Sequence, residues 1–162
     1  MNESEERTAA TGRNDVRLLT NLDGDRMSHF RLCEFENADG LAMVHGATLE
    51  ALERVRRDLA AVVGEEVYVI ITDAARTQQD LERLAARYGW TDDGGLVSRN
   101  SKHLVQYGGI AVDLIAVVAE TRQRVPQRIV GTVCRRYFHW VKDTYRDGHV
   151  HADLRGLLSV GA

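Results

Sequence analysis

Asp113 is the one charged residue in the run Ile110-Ala-Val-Asp-Leu-Ile-Ala-Val-Val118. A run this short, apolar and rich in β-branched residues reads as a strand. It falls well short of the roughly 20 apolar residues that a membrane span needs. A carboxylate inside such a strand is costly to bury unless something satisfies it. Backbone N–H groups or an arginine would do so, and so would a metal ion. The strand therefore bears on the fold and on the chemistry together.

The rest of the chain supplies elements to pack around it. Thr48–Val63 reads as a helix, with Leu49, Leu52, Val55, Leu59 and Val62 at three- and four-residue steps and Gly64 as its C-terminal cap. Val67–Ile71 reads as a short buried strand. Thr77-Gln78-Gln79-Asp80 has the form of a capping box opening a second helix, with Leu81, Leu84, Ala85 and Tyr88 on one face. Residues 89–109 form a long glycine-bearing loop, a kind that is often functional. A third helix is expected to start with Pro126 at its first position and to carry the stripe Ile129, Val133, Tyr137 and Val141. His149–Leu154 alternates polar and apolar with period two, as a strand with one exposed or site-facing side does.

At 162 residues the chain is the size of one domain, or one domain with a tail. Residues 1–25 are polar and aperiodic and read as a flexible tail; 26–162 read as a single domain. A net charge of −3 argues against a basic surface for nucleic acid or anionic membrane. Cys33 and Cys134 lie too far apart for a zinc finger and are too few for a disulfide framework, so both thiols are expected reduced and packed. The polar start has no apolar stretch of signal-peptide type, which predicts a protein made in the cytoplasm.

The histidines decide what the fold is for. His149 and His151 are two apart on the last strand, so both imidazoles, with Asp153 beyond them, face one side. Such a pair is either a metal-and-base arrangement or an edge strand that happens to carry histidines. His103 ends the long loop, ten residues before Asp113. Two imidazoles and one carboxylate, His103, Asp113 and His151, make a ligand set for a catalytic metal that leaves a position for water. Arg76 follows the first strand and could clamp an anion there or simply lie at a helix start. His29, His45 and His139 lack comparable partners, and the aromatic cluster Tyr137-Phe138-His139-Trp140 reads as packing.

In this order, Ser101-x-His103, Gly109-x-Ala111-x-Asp113 and Val150-His151-x-Asp153 resemble the zinc D-alanyl-D-alanine carboxypeptidase family, whose metal-site architecture is shared with Hedgehog signalling domains. His29-Phe30, Glu34-Phe35 and Gly40 resemble the start of one branch of that family. The resemblance implies an α+β fold in which a small antiparallel sheet carries a zinc site and packs against helices. It implies one zinc ion per chain on His103, Asp113 and His151, a substrate-binding and oxyanion-stabilising Arg76, and His149 acting on the catalytic water. It implies a peptidase that cuts peptidoglycan peptides, as a carboxypeptidase or an endopeptidase of lysin type. A protein of this kind would act on cytoplasmic precursors, or at the cell wall after release by another protein, with a monomer as the expected state. Two positions depart from the family pattern. The interval from His103 to Asp113 is longer, so Leu104–Gly108 must hold an extra glycine-bearing turn. Gly148 stands where many members carry the acidic general base, which leaves Asp147 and His149 on either side as candidates. That displacement motivates an alternative, a catalytically silent zinc-binding module that recognises peptidoglycan or a protein partner. The plainest alternative is a structural α+β domain without metal.

Overall fold

A computed structural model describes residues 18–20 and 26–159. Strands β1 (Leu18–Thr20) and β2 (Arg26–Arg31) pair antiparallel. Leu18–Thr20, expected in the tail, is thus part of a sheet; the remainder of 1–25 lies outside the described residues. Helix α1 spans Gly46–Val63, β3 Val67–Asp73, α2 Gln78–Tyr88, β4 Ala111–Val118, α3 Gln127–Cys134, β5 Trp140–Lys142 and β6 Val150–Asp153. The architecture is α+β: a four-stranded antiparallel sheet of order β3-β4-β6-β5 with three α-helices among the described residues. None of those helices is long and apolar enough to cross a membrane.

Strand periodicity separates the sheet's two faces. Val112, Leu114 and Ala116 of β4, Val150 and Ala152 of β6, and Val67 and Val69 of β3 join one core. Leu49, Leu52, Val55 and Leu59 of α1 and Val130, Val133 and Cys134 of α3 complete it. The alternate positions Asp113, His151 and Asp153 therefore fall on the face that the helices leave uncovered, yet all three are buried. The last strand has a site-facing side rather than an exposed one. Val62, expected on the buried stripe of α1, is half exposed at 51 %.

Local signals set most boundaries. Gly64 closes α1 in the left-handed region at φ 82°. Thr77 Oγ1 accepts the Asp80 N–H while the Asp80 carboxylate accepts the Thr77 N–H, so the capping box is formed. The third helix departs from expectation. Pro126 is its N-cap at ψ 134°, not its first helical residue, and the helix stops at Cys134. The Tyr137 and Phe138 N–H groups both turn back onto the Cys134 carbonyl. Val141 then lies on β5, because Trp140–Lys142 satisfies the open edge of β6.

The long loop is ordered by a second apolar cluster, Leu81, Ala85, Val97 and Leu104. The stretch between His103 and Asp113 holds a 3-10 turn at Val105–Tyr107, closed by Gly108 at φ 77°. Gly109 follows at φ 80°, and a Cβ there would stand 2.8 Å from the His45 nitrogen. Its carbonyl accepts the His45 N–H and the buried Thr48 hydroxyl, fixing the start of β4 to the start of α1.

Candidate metal centre

Asp113 and His151 are directly paired residues on β4 and β6. His103 reaches them from the loop, which is stitched to the end of β3: the Arg76 N–H donates to the His103 carbonyl, and the Val105 N–H to that of Arg76. The result is a tight triangle. His103 Nε2 is 3.1 Å from Asp113 Oδ1 and 3.0 Å from His151 Nδ1, and His151 Nδ1 is 3.0 Å from Asp113 Oδ1. Among the described residues this buried trio is the group whose ligand atoms converge closely enough to hold a metal ion.

The outer nitrogens fix what the inner ones offer. His103 Nδ1 lies 2.6 Å from the Ala74 carbonyl, which can only accept, so this nitrogen carries the proton. His151 Nε2 donates to Asp153 Oδ2 at 2.8 Å, and Asp153 is held ionised by two contacts from the Arg155 guanidinium. Neutral rings then turn two lone pairs toward Asp113 Oδ1, giving three acceptors face to face. A cation must sit among them, either extra protons on the rings or a metal. Burial pushes the Asp113 carboxyl up, but His103 and His151 hold it well below the usual carboxylate range. Burial pushes the His151 imidazole down, but its hydrogen bonds to Asp113 and Asp153 raise it overall. Both directions express the cluster's demand for positive charge. The two imidazoles, each with its far N–H hydrogen-bonded outward, and one carboxylate fit a metal ion of borderline softness.

Other candidates surround the trio. Arg76 Nε and Nη2 contact Asp73 Oδ2 at 2.8 and 2.5 Å, and Nη2 stands 3.5 Å from Asp113 Oδ2. The guanidinium thus abuts the ligand carboxylate but is largely engaged. Asp147 and His149, the two candidates for the base, form one unit: His149 Nδ1 is 2.5 Å from Asp147 Oδ1. His149 Nε2 lies 3.7 Å from Asp113 Oδ2, outside the metal-holding trio but beside it. Gly148 between them has φ 84°, a conformation that favours glycine, so no carboxylate side chain fits that position readily. The turn is anchored from α3, where the Gln127 side-chain amide donates to the Tyr145 and His149 carbonyls at 3.0 and 2.7 Å.

These groups line one open cleft of about 690 Å³ on the uncovered sheet face. Arg76, His103, Asp113, Asp147, His149 and His151 all face it. Three further residues carry weight there that the sequence left unmarked. Trp140, expected to pack, is 39 % exposed in the cleft, edge-on to the His151 ring at 5.4 Å. Arg155 stacks on Trp140 while it holds Asp153, and it continues the period-two alternation of 149, 151 and 153. Tyr145 stacks on His149 with centroids 4.0 Å apart; no periodic signal marks it. His29, His45 and His139 stand apart from the trio, each with a structural partner: Glu53, the Ala47 N–H at the start of α1, and the Gly156 N–H. His139 is exposed rather than packed. Cys33 and Cys134 are both free thiols; Cys134 is buried and Cys33 only partly.

No protein-family model matches the chain, and no curated protein matches it.

Proposed function

We propose that this chain is a zinc-dependent peptidase that hydrolyses peptide bonds in bacterial cell-wall peptides, of the zinc D-alanyl-D-alanine carboxypeptidase-like kind. The observation that carries the reading is the triangle of three facing acceptors, His103 Nε2, His151 Nδ1 and Asp113 Oδ1, 3.0–3.1 Å apart. Ligand atoms about 2.0–2.1 Å from a tetrahedral zinc stand about 3.3 Å from one another. The ordered motif resemblance supplies the peptidase and its substrate class.

When bound, zinc supplies Lewis acidity, which makes water a better nucleophile near neutral pH and polarises a carbonyl. The chain's own residues supply the rest. His149, oriented by Asp147 through Nδ1, presents Nε2 to the cleft as the proton acceptor and later the donor to the leaving amine. Asp147 acts through His149, since it is mostly exposed and its near oxygen is engaged by the ring. Arg76 offers positive charge beside Asp113, where the substrate oxygen would gain negative charge.

The test is metal content of the purified protein by elemental analysis, followed by incubation of the zinc-loaded protein with purified sacculi and mass spectrometry of released peptides. About one zinc per chain, lost in His103→Ala, together with new peptide termini is the expected result. Zinc without cleavage would point instead to a silent module that recognises peptidoglycan or a partner. Absence of metal even after zinc is supplied would overturn both readings.

A further inference from the structure

Tyr145 is the half-buried phenol of the cleft. Its ring lies nearly parallel to the His149 imidazole, 18° between planes and 4.0 Å between centroids. The Lys142 ammonium approaches the ring to 4.6 Å. Its backbone is held by the Gln127 amide and by the Gly148 N–H, which donates to its carbonyl at 3.1 Å. A side chain fixed this firmly by stacking and by its turn is preorganised. Among the described residues, however, its hydroxyl has no hydrogen-bond partner. A phenol fixed in this way presents its O–H donor to whatever occupies the cleft that it shares with His103, Asp113 and His151.

Arg76 has only its Nη1 donors left for a ligand among the described residues. Its Nε and Nη2 are engaged by Asp73 and Asp113. Sites that stabilise a developing oxyanion use preorganised donors aimed at one point. We propose that Tyr145 is a catalytic residue: its phenolic O–H donates a hydrogen bond to the substrate carbonyl oxygen as that oxygen gains negative charge, alongside Arg76. Burial and the Asp113 carboxylate push the phenol's pKa up against the pull of Arg76, so the proton to be donated is retained at neutral pH. The role requires no proton transfer from Tyr145 and no change in its covalent state.

This inference rests on the peptidase reading, and the experiment separates the two. Tyr145→Phe keeps the ring and its stack on His149 and removes only the oxygen. With zinc-loaded protein and a cell-wall peptide, kcat should fall about 100-fold while KM and zinc content stay at wild-type values. Binding of a phosphinate peptide, whose tetrahedral anionic oxygens mimic the oxyanion, gives a readout without turnover; its Kd should rise by at least 10-fold in the variant. Wild-type kcat and wild-type phosphinate affinity in Tyr145→Phe would overturn the proposal while leaving the peptidase reading in place. A wild-type protein that neither cleaves the peptide nor binds the phosphinate would overturn the peptidase reading, and this proposal with it.

Discussion

Asp113 Oδ1 and His151 Nδ1 face each other at 3.0 Å from paired positions on adjacent antiparallel strands. Two of the three ligand atoms are thus set by the sheet's own hydrogen-bond register. Asp113→Asn keeps the side-chain shape and removes the charge that a divalent ion needs. It should abolish stoichiometric metal retention while the circular dichroism spectrum is unchanged. His151→Ala should do the same by leaving only two protein ligands. Full metal occupancy in either variant, measured by elemental analysis, would take that residue out of the site.

Metal uptake should release protons. Burial lowers His151, but its bonds to Asp113 and Asp153 raise it overall in the metal-free chain, whereas a metal requires a bare Nδ1. Apparent affinity should therefore climb with pH until the raised imidazole value is passed. Calorimetry in buffers of different ionisation enthalpy reads the released protons directly.

The same shifts shape the stability of the metal-free protein. Burial pushes the Asp113 and Asp153 carboxyls up, but their imidazole and Arg155 partners outweigh it and hold both below the usual carboxylate range. Their contribution is present above about pH 3.9 and is lost as pH falls through the depressed values. That of His151, whose value is raised, is present below about pH 6.5 and is lost as pH rises through it. Thermal stability without metal should peak between these limits, and excess zinc should move the optimum upward. An optimum that stays in place on zinc addition would argue against His151 as a ligand.

Arg155 touches no ligand atom of the trio, yet it holds Asp153, and Asp153 takes the far N–H of His151. Loss of a ligand's direct partner such as Asp153 typically weakens metal binding about 10- to 100-fold, and freeing Asp153 from Arg155 should cost part of that. Arg155→Ala should show that partial loss in competition with a zinc chelator. Unaltered affinity would reduce Arg155 to a surface stack on Trp140.

Gly148→Ala places a side chain at φ 84°. The strain should cost about 1 kcal/mol of stability, visible in the urea midpoint. Because the same turn sets both Tyr145 and His149, turnover should fall far more than stability does. Leu114→Ala is the contrasting case: fully buried on the helix-facing side of β4, it should cost about 2–5 kcal/mol.

The trio was legible in the sequence for a physical reason. Period-two alternation put His151 on one face of its strand, and Asp113 stood out as a lone carboxylate in an apolar strand, which needs a partner. His103 had no such local signal, and its combination with Asp113 and His151 into a ligand set singled it out. The reach of α3 was misread because Ile129, Val133, Tyr137 and Val141 keep a helical step across a break. The edge of β6 recruits Trp140–Lys142 through a non-local pairing that no window of sequence displays. Tyr145 escaped for a similar reason: its place depends on Gln127, eighteen residues earlier, bonding to a turn without period.

His103 hangs on a loop, whereas Asp113 and His151 belong to the sheet's central pair of strands. An ion shared by the three would act as a rivet between that loop and the sheet. Each opening of residues 89–108 would then have to strip one ligand from the ion, so the loop's amides should exchange with solvent more slowly once metal is bound. The same coupling makes the loop's packing, through Leu81, Ala85, Val97 and Leu104, a distant control on how long the ion stays.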